Sequence, residues 1–204
     1  MSVVVHVGKA AASSVDLAVW STLFASLVAL FVGVLPLLWA KSQRARIGRA
    51  EARVAASDLT LQALHVAAAL HLMKENSVAV YLYRKAASQF SVLDAESCRR
   101  VVPYLDCLPK DLEAPLGDVI ANIGLGVRNL SRVQDFAGIG AVDPQGTRVF
   151  YQSMLTSLEE ARGSLSRAVG GGHTLEAVEE QAEVLAKQLS DEAAREYLER
   201  QVSK

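Results

Sequence analysis

From Leu17 to Ala40 the chain runs for 24 residues without an ionisable side chain, and only Ser21, Thr22 and Ser26 in that stretch are polar. At a helical rise of about 1.5 Å per residue it covers roughly 36 Å, against a bilayer hydrocarbon core of roughly 30 Å. The stretch therefore predicts a transmembrane helix with a modest tilt. Trp20 and Trp39 stand near its two ends, about 28 Å apart along the axis at the same rise, where amphipathic indoles favour the two interfaces. A buried helix of a soluble protein seldom reaches such length without a charge.

The flanks set an orientation. Lys41, Arg44, Arg46, Arg49 and Arg53 crowd the C-terminal side, whereas the N-terminal side carries only Lys9 and Asp16. Basic residues stay on the cytoplasmic side of a span, so residues 1–16 are expected outside as a short tail and residues 41–204 inside. A cleaved signal peptide fits poorly, because the apolar run is too long, its basic residues follow it and Leu38-Trp39-Ala40 lacks the small-x-small pattern. A mitochondrial presequence is disfavoured because the first 40 residues contain no Arg. The Ala- and Arg-rich composition fits a bacterial inner-membrane protein. The basic cluster has two uses open to it: a topology determinant alone, or in addition a binder of anionic lipid headgroups.

Without an ionisable group, the span offers no proton relay or ion ligand and reads as an anchor. Ala25, Ala29 and Gly33 recur every four residues, a spacing that puts small residues on one face and would let a second transmembrane helix approach. Pro36 just beyond them is tolerated near the inner leaflet.

Beyond Arg53 no alternating β-branched run is long enough to suggest a sheet, so the expected class is all-α: one N-terminal transmembrane helix, then a cytoplasmic helical bundle ending in a helical hairpin. Hydrophobic residues make up 51 % of the chain and aromatics 6 %, a mixture dominated by helix-favouring Ala, Val and Leu. Residues 41–56 form a basic juxtamembrane segment in which Gly48 is the one strong breaker, so the anchor can run on as a polar helix. Ser57 or Asp58 could cap the next helix, with Leu61, Leu64, Ala68 and Leu72 as its stripe. A second span over 54–73 is disfavoured by Asp58, Gln62, His65 and His71.

Helices are expected over 78–90, after Asp94 and Glu96, and over 115–137, the last from the recurrence of Leu116, Ile120, Ile123, Val127 and Leu130. These complete a bundle over 57–137. Residues 138–204 carry the firmest pattern: Tyr151, Met154, Leu158, Ala161, Leu165 and Ala168, then Gly170-Gly171-Gly172, then Leu175, Val178, Ala182, Leu185 and Leu189. Asp143-Pro144 marks the start of the first helix and the three glycines its break. The pair forms a hairpin whose seams pack on the bundle or, alternatively, a short coiled coil with another copy.

Chemistry is thinly represented. A formal net charge of −1 gives no pull on nucleic acid. His65 and His71, six apart, fall on nearly opposite helix faces; His71 and Glu75 share a face but form a lone pair; His173 follows the glycines. Cys98 and Cys107 lie too far apart for a zinc-ligand pair, and they read as reduced thiols. No nucleophile elbow, phosphate loop or dinucleotide fingerprint occurs. No catalytic, metal or cofactor residue is therefore assigned and no cofactor is expected. The expected partners are the lipid bilayer, a protein of unknown identity and a second copy of the chain. A membrane-tethered enzyme or small-ligand sensor, with a pocket between bundle helices, is the alternative.

Overall fold

The computed structural model describes residues 7–73, 80–137, 144–170 and 176–202. Among these every regular element is helical and there is no strand: α1 (Val7–Leu72), α2 (Val80–Gln89), α3 (Glu96–Val101), α4 (Glu113–Ala137), α5 (Pro144–Ala168) and α6 (Glu176–Val202). Short 3-10 turns at Phe90–Val92, Val102–Cys107 and Lys110–Leu112 join the middle elements. Asp143, His173 and Leu175 lie outside the described residues.

Compact contacts divide the chain into residues 1–44 and 45–204. In the first unit, α1 has an apolar surface with no protein cover: every described side chain from Val19 to Ala40 is exposed. Ser26 donates its hydroxyl proton to the Thr22 carbonyl at 2.8 Å, the intrahelical arrangement that satisfies a hydroxyl without water.

In the second unit α1 continues without a break, and no helix starts at Ser57 or Asp58. Ser57 donates back to the Arg53 carbonyl at 3.1 Å, a bond that fits a mid-helix position and removes the capping role. The buried side of α1 is made of Ala52, Ala55, Ala56, Leu59, Gln62, Ala63 and Val66. Leu61, expected on the inner stripe, is 51 % exposed, whereas Ala68 and Leu72 are buried. The inner stripe mixes alanines with Leu59, Gln62 and Val66. At the buried Gly48, an added Cβ would stand 2.8 Å from Cβ of Tyr104.

Around α1 a single core gathers Phe90, Cys98, Val101, Leu112, Leu116, Val119, Ile123, Tyr151, Met154, Leu158, Leu165, Val178 and Leu189. Phe90 and Tyr151 stack with nearly parallel rings, and α4 runs against α5. Gly126 of α4 leaves room for the Met154 side chain, and its carbonyl accepts the Tyr151 hydroxyl at 3.4 Å. Asn122 donates to Ser157 at 2.7 Å across the same pair of helices. α6 lies against α2, where Lys85 pairs with Glu192 at 3.2 Å and Glu196 at 2.9 Å, and Tyr81 stacks on Tyr197. α5 ends at Ala168, and Gly170 two residues beyond has a φ of +72°, the left-handed conformation that glycine adopts without strain.

Candidate functional site

The first candidate surface is the apolar length of α1. It is the one helix among the described residues that is long and apolar enough to cross a membrane. Trp20 and Trp39 are exposed near its ends, and Ala25, Ala29 and Gly33 are exposed between them. A Cβ added at Gly33 would meet nothing within 4 Å. That leaves the small-residue face uncovered by the chain itself.

The basic residues follow on α1. Lys41, Arg44, Arg46, Arg49 and Arg53 are all exposed. At 100° per residue, Arg46, Arg49 and Arg53 fall within about 60° of one another, on one flank of the helix beside its buried side.

A cleft of about 170 Å³ opens on this flank, lined by Arg53, Ala56, Ser57 and Thr60 of α1 and by Ser166, Val169 and Gly170 at the end of α5. One guanidinium and three hydroxyls share its lining with the apolar Ala56 and Val169. Ser57 and Thr60, however, direct their protons to the helix carbonyls of Arg53 and Ala56, at 3.1 Å and 2.8 Å.

The positions expected to line a hairpin lie on α5 and α6, of which α5 runs against α4 and α6 against α2. Tyr151, Met154, Leu158 and Leu165 of α5 are fully buried, Val178 and Leu189 of α6 are buried, and Leu185 is half-buried. These side chains are occupied in the chain's own core.

Elsewhere the polar groups hold the fold together. Gln62 is 1 % exposed: its amide nitrogen donates to Asp58 Oδ2 at 3.0 Å and to the Asp94 carbonyl at 2.7 Å, while its oxygen accepts the Asp94 N–H at 3.2 Å. This one side chain ties the entrance of α3 to α1. Asp58 also accepts the Ser97 hydroxyl proton at 2.5 Å. His65 Nδ1 meets Gln89 Oε1 at 2.9 Å, a fixed structural contact and not an open ligand. Burial pushes the Cys98 thiol up to about 11 and the Tyr151 phenol up to about 12, so both stay protonated at neutral pH. Burial likewise raises the Glu159 carboxyl, against the opposing pull of Arg162. Among the described residues no three His, Cys, Asp or Glu side chains converge as a metal site. The Gln62 clamp and the close approach at Gly48 carry no sequence signal, since each depends on a distant backbone. Comparison with family models, curated proteins and solved structures finds no match for this chain.

Proposed function

We propose that this chain is a single-pass protein of a bacterial inner membrane. Residues 17–40 span the bilayer, residues 1–16 lie outside, and the helical bundle lies in the cytoplasm as a non-enzymatic tether, scaffold or regulator for another component at the membrane. The observation that carries this is the uncovered apolar length of α1, exposed along every described side chain from Val19 to Ala40; in water such a surface would far exceed the apolar patch of an ordinary monomer. The five exposed basic residues after it support the orientation. The cleft at Arg53 speaks for a ligand sensor as the second function, but its volume of about 170 Å³ lies below the roughly 300–1,000 Å³ usual for small-molecule pockets. That favours the tether.

The test uses the full chain in its native membranes. Resistance to alkaline extraction, together with a C-terminal half shielded from protease added to sealed cells, is the expected result. Crosslinking in intact cells followed by mild-detergent purification is expected to recover a reproducible protein partner. Release without detergent, or digestion of the bundle from outside, overturns the proposal.

A further inference from the structure

The part of α1 that builds the bundle has two sides, and the outer one has the layout of a parallel two-stranded coiled coil. Facing inwards are Gly48, Ala52, Ala55, Leu59 and Gln62, all buried. Facing outwards are Ile47, Val54 and Leu61, spaced by seven residues and 45 %, 56 % and 51 % exposed. With these at the a positions, the d positions are the exposed Ala50 and Ser57, small enough for a second backbone to come near. The β-branched Ile47 and Val54 at a favour two strands.

The flanks of this seam are opposite in charge. Arg46 and Arg53 occupy the g positions on one side, and Glu51 and Asp58 the e positions on the other. In a parallel dimer each g residue faces the e residue five places further along the partner helix. Arg46 therefore meets Glu51 of a second copy, and Arg53 meets Asp58, with both pairs repeated by two-fold symmetry. Both arginines are exposed, and both carboxylates are half-exposed. Asp58 receives Gln62 and Ser97 on its Oδ2 atom.

We infer that the outer face of α1 between Arg46 and Leu61 is a homodimer interface that takes a second copy of this chain in parallel. Charge complementarity selects the occupant: the face is self-complementary in parallel register, whereas an antiparallel copy sets arginine against arginine across the seam. The parallel orientation rests on the proposed anchor, which places all copies in one membrane with their N-termini on the same side.

The experiment oxidises single-cysteine variants of the full chain in membranes, with the native Cys98 and Cys107 changed to Ala and folding checked by circular dichroism. Ile47→Cys and Leu61→Cys are each expected to crosslink to themselves, and Val149→Cys, 65 % exposed on α5 but away from the seam, is not. Arg46→Glu is expected to weaken dimerisation about tenfold in mild detergent, and adding Glu51→Arg to restore it. No self-crosslinking at 47 and 61, crosslinking only between the Ile47→Cys and Leu61→Cys chains when the two variants are co-expressed, or a charge reversal that changes nothing overturns the inference. Alkaline extraction of the same membranes separates the two proposals: a dimer that washes off removes the anchor and leaves the seam, and an embedded monomer does the reverse.

Discussion

Two glycines set opposite expectations for the same substitution. Gly48→Ala drives a methyl into Tyr104 Cβ, an atom fixed close to the backbone, and is expected to cost about 1–3 kcal/mol. Gly117→Ala, on the exposed side of α4 with nothing within 4 Å of the new Cβ, is expected to add about 0.5–1 kcal/mol through helix propensity. Thermal unfolding of the two variants in one detergent checks the contrast. Gln62→Leu leaves both backbone groups of Asp94 without their side-chain partner and is expected to cost about 1–3 kcal/mol. Alkali acts through Cys98 and Tyr151. Each holds its proton more tightly when folded, so the stability they contribute is complete below their ordinary values of 9.0 and 10.0 and is lost as pH rises towards about 11 and 12. Denaturant titrations at stepped pH should show the midpoint falling across that window, and replacing Cys98 with Ala should flatten its lower part. At this scale the sequence was partly legible: Tyr151 and Met154 stand out by spacing, whereas Gly48 looked like a helix breaker because the neighbour it admits lies 56 residues away.

Helices were easier to anticipate than their ends. The apolar recurrence over 115–137 and the stripe from Tyr151 to Ala168 correspond to α4 and α5, because a repeat of three and four residues leaves a helix few other faces to bury. Ser57 and Asp58 had the chemistry of a cap without the role, since nothing upstream stops α1 and intrahelical bonding satisfies the Ser57 hydroxyl. Leu61 misled for a related reason: α1 runs through as one helix whose inner face is set by Ala52, Ala55, Leu59 and Val66, and Leu61 falls on the side opposite to them. α6 adds to its buried Val178, Ala182 and Leu189 the Tyr81–Tyr197 stack and the double pairing of Lys85. Hydrogen bonding to Glu196 raises the Lys85 ammonium above its usual range and lowers the Glu196 carboxyl below its own. The attachment is thus complete at neutral pH and weakens in acid, as Glu196 takes up a proton, or in alkali, as Lys85 loses one. Tyr197→Ala is expected to speed amide hydrogen exchange through the last turns of α6 while leaving α4 unchanged.

Across the whole molecule, one apolar helix and the arginines after it were readable in advance, since hydropathy and charge are local properties of the chain. The surfaces that define interactions were less so: the outer seam of α1 emerges only once Ala52, Ala55 and Leu59 are known to be occupied inside. Exchanging Lys41, Arg44, Arg46, Arg49 and Arg53 for Gln while adding lysines to residues 1–16 is expected to invert part of the population, which protease protection in sealed cells would register. The alanine-lined inner side of α1 has a further consequence for how the molecule accepts change. Most cores suffer when side chains are trimmed and forgive modest repacking. At Ala52, Ala55, Ala56 and Ala63 there is almost nothing to trim, so these four positions should be quiet when shortened to glycine beyond the usual helix penalty, and intolerant of a single extra methylene, whereas Leu59 and Val66 between and after them should respond to trimming as ordinary core residues do. Accommodation of a larger side chain at those four positions would then have to come from the elements packed against them.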